Sequence, residues 1–166
     1  MTRTFFGKYR AVVTDNSDPL HIGRVRASVP DVFGDQESGW AMPSAPFGGS
    51  TMGFFALPSK DAGVWIEFEH GDPDYPIWSG CWWGSAAEMP TTLLASPPDI
   101  VMIVTHGGTS LTLSDVPGVG GITLETSDGA KLTMSPTGIE IDNGKGANIK
   151  LSGPQVSINS GALEVT

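Results

Sequence analysis

The last third of this chain repeats one small device seven times: two aliphatic residues separated by a single polar one. The pairs are Leu111/Leu113, Ile122/Leu124, Leu132/Met134, Ile139/Ile141, Ile149/Leu151, Val156/Ile158 and Leu163/Val165. They recur at intervals of 11, 10, 7, 10, 7 and 7 residues. Gly108, Gly121, Gly129, Gly138, Gly146, Gly153 and Gly161 each stand one to three positions ahead of a pair. Side chains two residues apart share one face of an extended strand. Each unit therefore reads as a short strand with a glycine corner that tolerates positive φ or close backbone approach. No aromatic residue lies among them, because all seven Phe, five Trp and two Tyr stand at or before Trp83.

One chain is not expected to bury these pairs alone. Each side chain is worth about 1.5–3 kcal/mol if fully buried, against a backbone ordering cost of about 1–2 kcal/mol per residue. Three copies resolve the deficit: the pairs point to the axis of a three-sided prism, and neighbouring chains pair the strand edges. A narrow axis admits medium aliphatic residues and no aromatic ring. Seven layers at about 4.8 Å each predict a needle roughly 34 Å long.

The first half can make its own core, since domains of about 60–80 residues are marginal but viable. Phe5–Val13 alternates, with Phe5, Tyr9, Ala11 and Val13 on one face. After the turn TDNSDPL, Ile22–Val29 alternates again, with Val25, Ala27 and Val29 together. A third extended stretch surrounds Trp40–Phe47, and Val64–Glu69 is the strongest strand, opposing Val64, Ile66 and Phe68 to Trp65, Glu67 and Glu69. The turn HGDPDYP leads into a last strand, Ile77–Trp83. Period-two patterning with turn residues between the runs predicts strands, and five short ones predict a small closed barrel of the OB type.

The strings DPLHIGRVRASVP, GWAMPSAPFGG and FFALPSKDAGVWIEFEHGDPDYPIWSGCWWG stand in that order between Asp18 and Gly84. Together they resemble the OB domain of contractile-tail spike proteins, the phage baseplate assembly protein V group and the spike portion of VgrG proteins. Where that family often has an acid before the strong strand, this chain has Ala62 after Lys60 and Asp61. The resemblance implies an all-β chain: a five-stranded OB-fold barrel over residues 1–84, a neck over 85–110 and an intertwined triple-stranded β-helix over 111–166, assembled as a homotrimer. The closing string PQVSINSGALEVT resembles the end of such needles. That likeness implies that Ala162, Leu163, Glu164, Val165 and Thr166 receive a small PAAR-type conical cap. The run from Val101 to Thr105, with THGGTSLTLSDVPG, is expected to begin the pairing.

Composition narrows the chemistry. The net charge is −9, split into 6 basic against 10 acidic residues through Trp83 and 3 against 8 beyond. Sequence-independent nucleic-acid binding rests on phosphate neutralisation by Lys and Arg, so an acidic chain is poorly suited to it. Arg3, Lys8, Arg10, Arg24 and Arg26 nonetheless form a basic run that an OB barrel with aromatics could use on a single strand; a charged outer face, or contact with an acidic hub, is the plainer reading. The single cysteine, Cys81, excludes an intrachain disulfide and is expected to be a small buried hydrophobe among Trp78, Trp82 and Trp83. The N-terminus lacks a signal-like apolar run, and no segment approaches the roughly 20 apolar residues of a membrane span. Synthesis in the cytoplasm is expected.

His21, His70 and His106 are far apart and make no paired metal motif. Only His106 invites a metal reading, since a trimer axis would gather three copies. Glu67, Glu69, Asp72 and Asp74 are the nearest thing to the carboxylate pair of a glycosidase, yet GDPD reads as a proline turn. No Gly-x-Ser-x-Gly elbow or phosphate loop is present. The expectation is a non-enzymatic, cofactor-free homotrimeric central spike of a contractile injection system. By resemblance its OB domain meets a baseplate hub, its tip carries the cap, and it touches the target envelope transiently. An OB module for nucleic acid or glycan on a trimeric stalk is the alternative; a receptor-binding fibre tip is a third, although the chain stops at Thr166 just after the last pair.

Overall fold

A computed structural model describes residues 3–90 and 99–165. The chain divides into two compact units, Met1–Glu88 and Met89–Thr166.

In the first unit, β1 (Tyr9–Asp15), β2 (Arg26–Ser28), β3 (Met42–Pro43), β6 (Gly63–Phe68) and β7 (Pro76–Trp82) form one sheet in the order β2-β1-β6-β7-β3. β3 runs parallel to β7, and the other pairings are antiparallel. A bridge between Val25 and Ala41 joins the two outer strands and closes the barrel, with Ala41 N–H donating to the Val25 carbonyl at 2.8 Å. A single-turn helix, α1 (Pro30–Phe33), follows β2, and a small hairpin of β4 (Gly48–Gly49) and β5 (Met52–Gly53) lies between β3 and β6.

Period-two alternation puts Ala11, Val13, Val25, Ala27, Val29, Val64 and Ile66 inside at 2% exposure or less. Phe5, Tyr9, Phe33 and Phe68 form an aromatic cluster with centroids 5.7–6.1 Å apart. The indole N–H groups of Trp78 and Trp82 donate to the carbonyls of Gly23 and Val64. These placements agree with the sequence reading, with four differences. β2 covers only Arg26–Ser28 of the alternating stretch Ile22–Val29. β1 starts four residues later than the alternation of Phe5–Val13 suggests, because the Phe5 N–H donates to the Gly71 carbonyl instead of a ladder partner. Only Met42 and Pro43 of the stretch Trp40–Phe47 are strand, and Phe47 runs on into the β4–β5 hairpin. Cys81 is exposed: it pairs with Val64 of β6, but β3 pairs with β7 only at Ile77 and Trp78.

The second unit is an eight-stranded antiparallel meander in which each strand pairs with its sequence neighbour. Its strands are β8 (Ile100–Val104), β9 (Ser110–Ser114), β10 (Gly121–Glu125), β11 (Lys131–Ser135), β12 (Gly138–Asp142), β13 (Asn148–Ser152), β14 (Gln155–Ile158) and β15 (Leu163–Val165). β8 falls within residues 85–110, where the sequence suggested a neck. The spacing of the pairs becomes turn length. Two-residue turns follow Ser135 and Ser152 at two of the intervals of 7, and four residues join β14 to β15 at the third because β14 ends at Ile158. Five-residue turns separate β10 from β11 and β12 from β13 where the interval is 10. All seven glycines ahead of the pairs have positive φ. In the longer turns the leading side chain caps the corner: Thr105 Oγ1, Thr126 Oγ1 and Asn143 Oδ1 accept the N–H four residues on. Consecutive strands are thus hydrogen-bonded within one chain, where neighbouring chains had been expected to pair the edges.

Candidate functional site: the apolar face of the C-terminal sheet

The register sorts the seven predicted pairs into two continuous rows on one face. One row runs Val101, Leu113, Ile122, Met134, Ile139, Leu151, Val156, Val165, each directly across from the next. The other runs Ile103, Leu111, Leu124, Leu132, Ile141, Ile149, Ile158, Leu163. All fourteen predicted residues lie in these rows. Val101 and Ile103 extend them by one layer; they escaped the pair pattern because IVMIV is apolar throughout and does not alternate. On the opposite face Thr112, Thr123, Thr133, Glu140, Lys150 and Ser157 occupy the central positions.

The burial pattern is inverted relative to a sheet that covers its own core. In β10 and β12 the apolar residues are exposed and the polar ones half-buried. Ile141 is 49% exposed, Leu124 45% and Ile103 53%. Along the second row a groove of about 770 Å³ is walled by Leu124, Leu132, Ile141, Ile149 and Ile158. A contiguous exposed apolar face of this kind marks an interaction surface. Twelve of the sixteen side chains are 36% exposed or more, and covering each of those is worth about 1 kcal/mol.

Ala162, Leu163 and Val165, expected at the tip, lie at the β15 end of this sheet, where among the described residues β15 pairs with β14 alone. Glu164 stands across from Ser157 by register, and Thr166 lies outside the described residues. His106 is exposed in the turn between β8 and β9. Among the described residues no group of three His, Cys, Asp or Glu side chains converges, and no helix is long and apolar enough to cross a membrane.

The basic run of the first unit is largely engaged within its own barrel. Lys8 bridges Glu67 and Arg26 bridges Glu37, each at 2.7 Å. Arg24 chelates the buried Asp18 through Nε and Nη2 while its guanidinium lies over Trp40. Arg10 stacks over Trp65 and Trp82, and Arg3 over Phe5. Asp18 also accepts the backbone N–H groups of Leu20, Ile22 and Arg24. The Arg24 hydrogen bond, followed by those three, holds its carboxyl well below the usual carboxylate range despite burial. Asp72 of the GDPD turn accepts the Asp74 N–H, as a turn residue does.

A closed OB barrel, followed by a sheet whose apolar face needs other copies to cover it, defines a self-associating structural protein. Residues 9–83 match the type VI secretion system/phage-baseplate injector OB domain, and residues 100–164 match the phage baseplate V C-terminal trimerisation domain. With both domains present in order, the chain belongs to the phage baseplate V family of injector spike proteins. It is a baseplate structural protein that self-associates through its C-terminal domain. No curated protein matched the chain.

Proposed function

We propose that three copies form the non-enzymatic central spike of a contractile injection machine and that this spike punctures the target envelope. One observation carries the reading: sixteen aliphatic residues in two unbroken rows, on a sheet whose strands are already paired within the chain. Such a sheet needs no partner for its ladder and two further copies for its face. Three of them closed face-inward make a narrow prism with a dry axis, a shape suited to axial load. The OB barrel seats the spike on a baseplate hub, and the β15 edge receives a PAAR-type cap. The internal pairing of Lys8, Arg24 and Arg26 supports this reading over a nucleic-acid groove.

Sedimentation of the purified full chain tests the assembly: a trimer is expected, and a monomer at micromolar concentration overturns it. Particles rebuilt with a tagged spike test the placement and the work. Label at the baseplate centre, with dye uptake by target cells lost when the spike is omitted, is the expected result. Label on the fibres, or undiminished dye uptake, overturns the puncturing role.

A further inference from the structure

From Ser38 to Ser59 the sequence contains no charged residue, in a chain of which 16% is charged. Most of this run is not core. Residues 44–56 are exposed without interruption. They fold as the β4–β5 hairpin, pinned where the Phe54 N–H donates to the Phe47 carbonyl at 2.9 Å. The hairpin holds large apolar side chains in the open: Phe55 is 76% exposed, and Phe47, Met52 and Phe54 each exceed half. With Ile22 and Cys81 they wall a groove of about 670 Å³ that no charged residue lines. Exposed aromatic patches of this kind mark interaction sites.

We infer that this hairpin is an interface between copies of the chain, each hairpin lying against the barrel of the next so that three barrels close a ring. The inference rests on the trimeric reading above. Tethering through the C-terminal sheet presents neighbouring barrels to one another at effective concentrations on the order of millimolar. A patch that stayed uncovered at that concentration would stick to its neighbour in any case. The absence of charge fits a contact that forms once and stays: permanent interfaces resemble a divided core, whereas partners that meet by diffusion use charge for steering and register. Three-fold symmetry then makes the contact head-to-tail and self-closing.

Cys81, the only cysteine, is a built-in reporter because it is exposed in the single chain and lies in the groove wall. The test is the rate of thiol labelling in the purified full chain, with sedimentation on the same samples. In the wild-type trimer labelling should be at least about tenfold slower than in Phe55→Glu, since a covered thiol reacts only through opening. Met52→Lys, on the other arm of the hairpin, should accelerate it similarly. Both variants should remain trimers held by the C-terminal sheet. Wild-type trimer labelling as fast as either variant would mean the groove stands open for a different protein, overturning the inference while leaving the spike reading intact. A monomeric wild type would sink both.

Discussion

Leu132 stands directly across from Ile141 in the β11–β12 pair, and Ile149 faces Ile141 from the other side. Glu140, one residue away, points to the opposite face between Thr133 and Lys150. Adjacent residues thus test the two faces. Ile141→Asp should place three carboxylates in the dry centre of the trimer, where desolvation and like charge both oppose ionisation. Loss of the heat-stable trimer on an unboiled gel is expected. Glu140→Lys should leave the trimer in place, losing only a cross-strand pair worth about 0.2–1 kcal/mol. Equal effects would mean that the rows do not face the axis.

Gly138 opens β12 at φ +137°, and a Cβ there would overlap the Leu151 carbonyl oxygen. Gly129, in a turn at φ +88°, has open space where a Cβ would go. Gly138→Ala should therefore displace β13 as well as strain its own backbone, costing more than the roughly 1–3 kcal/mol of a strained residue alone. Gly129→Ala should cost about 1–2 kcal/mol. Thermal melting of the two variants by far-UV circular dichroism should rank them in that order.

Much of the sheet could be read from spacing, because side-chain period and turn length are local properties. The i/i+2 pairs gave both rows, and the intervals gave the turns. The strand partners were harder. Hydrogen-bonding within the chain follows from every strand reversing on its predecessor, and short strands with glycine corners suit intrachain reversal as well as exchange between chains. In the barrel, the alternation of Val64, Ile66 and Phe68 marked the core strand directly. The exposure of Cys81 is a tertiary fact with no local signature. The β4–β5 hairpin was hidden for a similar reason: its apolar residues look like core until the fold leaves them outside.

Asp18 anchors the loop from β1 to β2 through Arg24 and three backbone N–H groups. Its folded carboxyl is held below the ordinary range, first by the Arg24 hydrogen bond. A depressed carboxyl stabilises the fold above the unfolded value of about 4, and that stabilisation is lost as pH falls below it toward the folded value. Asp18→Asn should lower the barrel's melting temperature at neutral pH, and the gap to wild type should narrow on acidification below about pH 4. Tryptophan emission isolates the effect, because all five Trp lie in the barrel and Trp40 stacks on Arg24. A gap that stays constant with pH would remove the carboxylate charge from the explanation.

The proposed cap site makes a separable prediction. Among the described residues β15 is bonded to β14 on one side only, so its outer edge and the exposed Leu163 and Val165 form the open end of the sheet. Removing residues 163–166 deletes one layer of eight and leaves β14 as the new edge. The trimer should survive, since each row keeps seven of its residues, although its melting temperature should fall. Capture of a co-expressed cone-shaped tip protein should be lost, because the surface that received it has gone. Losing the trimer together with the cap would assign the last layer to assembly. Retained capture by a sound trimer would place the docking surface elsewhere on the chain.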